Sequence, residues 1–162
     1  MEEIYLEERE LPYRIQLSPD EPDCMCNGKC IRLRNKLVSS GLEVRFRVCG
    51  FLWSEQKIPE ESKLLLQEDQ DFHVYLEVRT GSGWHALDPT FDSRLLEALA
   101  ANGWPQDSIA FLPNIIFGTG ESEEMMLESA EYDWETNRSF YTALNSWFDN
   151  LRKPVLVVSA SQ

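Results

Sequence analysis

The clearest periodic signal is helical and covers residues 27–40. Cys30, Leu33 and Leu37 recur on one stripe, while Arg32 and Lys36 fall outside it. Ser39-Ser40-Gly41 ends the run, with Gly41 suited to the left-handed position after a helix. Residues 43–49 alternate instead, with Val44, Phe46 and Val48 on one face and Arg45, Arg47 and Cys49 on the other, which predicts a strand. His73 to Arg79 and Trp84 to Asp88 are both strand-like, and Thr80-Gly81-Ser82-Gly83 joins them. Gly-Ser at the centre suggests a type II′ hairpin turn with Gly81 at positive φ. Asp92 or Ser93 is expected to cap a short helix through Ala101, with Asn102-Gly103 beyond it. An amphipathic helix is expected over 135–151, where Phe140, Leu144, Trp147 and Leu151 share a stripe. Val155 to Val158 reads as a short final strand. Residues 18–23, 54–71 and 104–122 read as loops, and residues 4–17 carry no assignable pattern. An early helix followed by antiparallel strands predicts an α+β fold.

The hairpin has a chemical consequence. With the turn centred on Gly81-Ser82, Arg79 pairs with Trp84, Tyr75 lies opposite Asp88, and His73 lies opposite Thr90. Opposed residues share a face, as do residues two apart along a strand. His73 and Asp88 are then diagonal neighbours, about 5–8 Å apart at Cβ and within reach of a hydrogen bond. His85 pairs with Val78 and projects from the other face. A slip of one residue would exchange the two histidines.

Cys26 immediately precedes the helical run. A thiol there meets the free N–H groups and the positive end of the helix dipole, both of which favour thiolate. It also lies one turn before Cys30 on the apolar stripe. Cys26, His73 and Asp88 therefore form a candidate nucleophile, base and orienting carboxylate. Cys30 is an alternative nucleophile and Cys24 a weaker one. Cys30 and Cys49 read as inert buried thiols, Lys29 as a helix-surface lysine with a structural role near the site as the alternative, and Glu77 as a solvated strand residue. Tyr75, Trp84 and Trp53 read as core or pocket wall.

With 162 residues and 43% hydrophobic positions, the chain has the size and composition of one globular domain. A net charge of −13 argues against nucleic acid as a partner. No apolar run approaches the roughly 20 residues of a membrane span. The acidic N-terminus lacks the layout of a signal peptide, so a cytoplasmic location is expected. Four cysteines in a reducing compartment point to catalysis, metal binding or burial rather than disulfides. They could supply four thiolates to zinc, but Cys-x-Cys-x-x-x-Cys lacks the paired Cys-x-x-Cys knuckles of common structural sites. No metal or other cofactor is expected.

Residues 24–90 resemble the core of the transglutaminase-like superfamily. The resemblance rests on Cys26, Lys29 and Leu33 at the helix start, Gly41-Leu-Glu-Val-Arg45 entering a strand, His73, Tyr75, Glu77 and Val78, and Trp84 with Asp88-Pro89-Thr90. Cys24 stands where such proteins often have glycine, and Glu43 where they have proline. The resemblance implies a papain-like α+β core, with the nucleophile helix packed on an antiparallel sheet or small barrel. It also implies thioester-forming attack on an amide, either a peptide bond or a glutamine side chain, and acyl transfer to water or an amine. A peptide or protein is the implied substrate, with an amine as an optional co-substrate. Residues 91–162 lie outside the recognised motifs and are expected to be a C-terminal helical extension of the same domain. A catalytically inactive binding module with the same fold is the alternative.

Overall fold

The strongest helical stripe becomes α2, Cys26–Ser39, in the computed structural model, which describes residues 1–104 and 135–153. Cys30, Leu33 and Leu37 are fully buried and pack on Phe46, Val48, Val74 and Leu76 of a sheet. Burying each leucine is worth about 1.5–3 kcal/mol, so this seam fixes the helix to the sheet. Gly41, just past the helix, takes φ +83°, the left-handed conformation expected of it.

The sheet has three antiparallel strands in the order β1-β2-β3. They are β1 (Val44–Leu52), β2 (Gln70–Thr80) and β3 (Gly83–Leu87). Arg79 pairs with Trp84 and Val78 with His85, as the hairpin register requires. The turn itself differs from expectation. Positive φ falls on Gly83, at +126°, and not on Gly81, so the connection is not the type II′ turn that Gly-Ser suggests. The strand expected over 43–49 runs on through Gly50, Phe51 and Leu52, whose partners are Phe72, Asp71 and Gln70.

Helix α1 (Glu2–Arg9) lies in the segment without an assignable pattern and packs on the outer side of α2. Arg32 and Lys36 do leave the sheet, but they meet α1 rather than water alone. Arg32 bonds the buried Glu8 at 2.6 Å, and Lys36 reaches Glu7 and Glu8.

The opposite face of the sheet carries Cys49, Phe51 and Tyr75 into a second, largely aromatic cluster. Tyr13, Phe91, Leu95, Leu99, Phe140, Leu144 and Phe148 complete it. Two later helices supply most of these side chains: α4 (Ser93–Ala101) and α5 (Arg138–Leu151). Asp92 caps α4 by accepting from Leu95 N at 3.1 Å, as expected. The same carboxylate accepts from Tyr13 N and pairs with Arg152 at 2.6 Å, tying both helices to the N-terminal segment. Asn145 of α5 pairs through its amide with both Ile15 N and Ile15 O, as a strand neighbour would.

Residues 54–71 are not a plain surface loop. They contain the end of a single 3₁₀ turn, Trp53–Glu55, then α3 (Glu60–Lys63) and the first residues of β2. Ile58 and Gln56 are buried, and Asn137 holds the segment through Gln67 N, Glu68 N and Glu68 O. The loop expected beyond Trp104 and the strand at Val155 to Val158 lie outside the described residues. The described chain is an α+β fold of five helices and one three-stranded antiparallel sheet.

Candidate functional site

Cys26 is the first residue of α2, following Met25 in extended conformation with ψ 178°. Asp23 prepares this start by accepting from Met25 N at 3.0 Å. The Asp23 carboxylate lies against Gly28, where a Cβ would overlap it. Glycine at 28 is thus what allows the loop before the helix to fold back on its first turn. Cys26 itself is partly buried.

His73 stands on β2 directly opposite Cys49 of β1 and is buried. Its Nε2 meets Asp88 Oδ2 at 2.7 Å. Regular pairing of β3 stops at Leu87, opposite Leu76, so Asp88 sits just past the strand end and leans back to His73. The other carboxylate oxygen accepts from Thr90 N at 3.0 Å and from the Thr90 hydroxyl. The contact expected from the hairpin register is therefore present. His85 is exposed, bonds Ser82 on the turn and takes no part.

Cys26 and His73 line the same cavity, and Cys26 is among the neighbours that raise the imidazole pKa. Burial alone would lower the His73 pKa. The charge and hydrogen bond of Asp88, with the hydrogen bond from Cys26, outweigh it and hold the imidazole well above its usual range.

Lys29 is not a surface lysine. Its side chain is fully buried, and its ammonium donates to Arg9 O, Leu11 O and Thr90 O at 2.9, 2.6 and 3.0 Å. Three donors meet three acceptors, the full capacity of an ammonium. Burial depresses its pKa to about 8, against the pull of Asp92 and other anions. Together with Tyr5, which donates to Asp88 O at 2.9 Å, Lys29 fastens the Asp88–Thr90 segment to α1 and α2.

A cavity of about 40 Å³ opens beside these groups, and Cys26, Asn27, Trp53, Asp71, His73 and Phe91 are among the residues that line it. Asp71 lies two residues before His73 on β2 and accepts from Trp53 Nε1 at 2.9 Å and from the Tyr141 hydroxyl at 3.3 Å. Burial pushes its carboxyl pKa up, against the hydrogen bonds from Phe72 N, Trp53 and Tyr141 and the charge of His73. Asn27 is buried, and among the described residues its Oδ1 has no hydrogen-bond partner. Neither residue stood out in the sequence; the alternation Asp71, His73, Tyr75 along β2 was the available sign for Asp71.

The other thiols are placed differently. Cys30 is packed under α2 against Val74 O, and Cys49 lies on the opposite side of the sheet against His73 O. Burial raises both of their pKa values, that of Cys30 strongly. All four cysteines are free, and among the described residues no cluster of three histidine, cysteine or acidic side chains could hold a metal ion. The arrangement thus holds a thiol at a helix start, an imidazole and a carboxylate in series beside a small aromatic-walled cavity. No protein-family model, curated protein or solved structure matches this chain.

Proposed function

We propose that this protein is a transglutaminase-like cysteine acyltransferase or hydrolase, with Cys26 as nucleophile, His73 as base and Asp88 as the orienting carboxylate. The observation that carries the reading is the His73–Asp88 contact of 2.7 Å, with Cys26 at the helix start lining the same cavity as His73. On this reading α2 on its sheet is the nucleophile helix of a papain-like core.

The reaction starts from a Cys26 thiolate beside a His73 imidazolium. The sulfur attacks an amide carbonyl carbon, a C–S bond forms, and the carbonyl electron pair moves onto oxygen. The Cys26 backbone N–H, free at the helix start, stabilises that oxyanion. Collapse breaks the C–N bond, and the imidazolium gives its proton to the leaving amine. A water or a second amine then attacks the thioester while His73 takes its proton, and Cys26 leaves as thiolate. Asp88 fixes the imidazole tautomer and stabilises its charged form throughout. The substrate is a peptide bond or a glutamine side chain.

Incubation with p-nitrophenyl acetate, followed by peptide mass mapping, tests this reading. An acetyl group on Cys26 that disappears on adding hydroxylamine is the expected result. Acetylation spread over Cys24 and surface lysines, with none on Cys26, would point instead to a non-catalytic binding module.

A further inference from the structure

We propose that the cavity beside Cys26 recognises a cationic group on the acyl donor, held by the Asp71 carboxylate and the Asn27 side-chain oxygen. This deepens the acyl-transfer reading and rests on it for the bound group being part of a substrate.

The lining is unusual in what it lacks. Asp71 makes no ion pair with lysine or arginine among the described residues, and no lysine or arginine lines the cavity. Its hydrogen bonds come from a neutral indole, a phenol and a backbone amide. A carboxylate in such surroundings is usually matched by a cation. Each carboxylate oxygen accepts two hydrogen bonds, so Oδ1, occupied only by Phe72 N, keeps capacity to spare. Asn27 supplies a second, independent sign, because it lines the same cavity and, among the described residues, its buried Oδ1 has no donor to accept from. The remaining walls include the rings of Trp53, Phe51, Phe91 and Trp104, whose faces attract cations. His73 lines the cavity too and its charge acts on Asp71, but its own counter-charge is Asp88 at 2.7 Å, so two acceptors and several aromatic faces remain to suit an ammonium.

The size is also restrictive. At about 40 Å³ the cavity takes roughly three water-sized groups, enough for an ammonium with a short alkyl stem. The net charge of −13 favours the approach of such a group. The same carboxylate decides its role. An ammonium held against Asp71 is stabilised in its protonated form, which has no free electron pair. It therefore identifies the acyl donor and does not attack the thioester.

The test uses the 162-residue chain carrying Cys26→Ala, in which no acyl chemistry occurs. Its Trp53 indole N–H resonance, assigned by its loss in Trp53→Phe, is titrated with ethylammonium chloride and with ethanol of the same size. A saturable shift with ethylammonium and none with ethanol is expected. Asp71→Asn should weaken ethylammonium by about tenfold, the value of one charge-assisted hydrogen bond. Equal responses to the two probes, or an unchanged titration in Asp71→Asn, would overturn the proposal. If Asp71→Asn fails to fold by circular dichroism, the comparison of the two probes in Cys26→Ala still decides. Because binding is read without chemistry, failure of acetylation at Cys26 leaves this readout intact, and the two ideas fail separately.

Discussion

Replacing Lys29 with methionine keeps the length of the side chain and removes its three donors. The carbonyls of Arg9, Leu11 and Thr90 are then left facing an apolar group. At about 1 kcal/mol for each buried acceptor left without its donor, the expected loss is roughly 3 kcal/mol at pH 7. That is a large part of the ~5–15 kcal/mol that holds a domain of this size together. The pH dependence makes the prediction sharper. The folded pKa of about 8 lies below the model-peptide value, so between them the unfolded chain binds more protons than the folded one. Stability contributed by Lys29 therefore rises with pH across this window. Methionine has no such titration. The gap between wild type and Lys29→Met should widen by on the order of 2 kcal/mol between pH 7 and pH 10. Urea unfolding of both proteins at several pH values measures it. A loss under 1 kcal/mol at pH 7, or a gap that shrinks as pH rises, would refute the reasoning.

Gly28→Ala should cost about 1–3 kcal/mol in the same assay, because the new methyl overlaps the Asp23 carboxylate and forces the helix start to shift. Asp88→Asn should leave thermal stability nearly intact yet lower the rate of Cys26 acetylation by about 10²–10⁴, since the imidazolium loses its counter-charge and its tautomer is no longer fixed. His85→Ala, a change at an exposed ring bonded only to the turn, should leave that rate within about twofold, a difference worth under ~0.5 kcal/mol.

The sequence made α2 legible because its three buried positions recur with helical period and glycine follows its end. The His73–Asp88 relation was legible through register alone. It survived an error in the turn, since Arg79 stays opposite Trp84 whichever glycine carries the positive φ. The first reading of Lys29, a surface lysine, fails and its alternative, a structural role near the site, holds: a lysine on a helix is normally solvated, and its three carbonyl partners come from segments up to 61 residues away. Helix α1 was hidden because its buried stripe includes a charge, Glu8, which pairs with Arg32 of α2 where an apolar residue would be expected. Trp84, read as core or pocket wall, is half-buried, with the Arg45 and Arg79 guanidinium groups 4.2 and 5.5 Å from its ring. Glu77, read as solvated, pairs with Arg45 at 2.7 Å. Asp71 and Asn27 escaped notice because a pocket formed by a helix start, a strand and a distant helix leaves no local pattern.

The most direct test of the site is the rate of iodoacetamide labelling at each cysteine near pH 6, in wild type and in His73→Ala. Asp88 holds the imidazole well above its usual range, and Cys26, at the start of α2, lines the same cavity as that ring. Cys26 should therefore label ahead of Cys24, with Cys30 and Cys49 protected by burial. Loss of that lead in His73→Ala is the predicted result. Equal labelling of Cys24 and Cys26 in wild type, or a lead that survives removal of His73, would contradict the account.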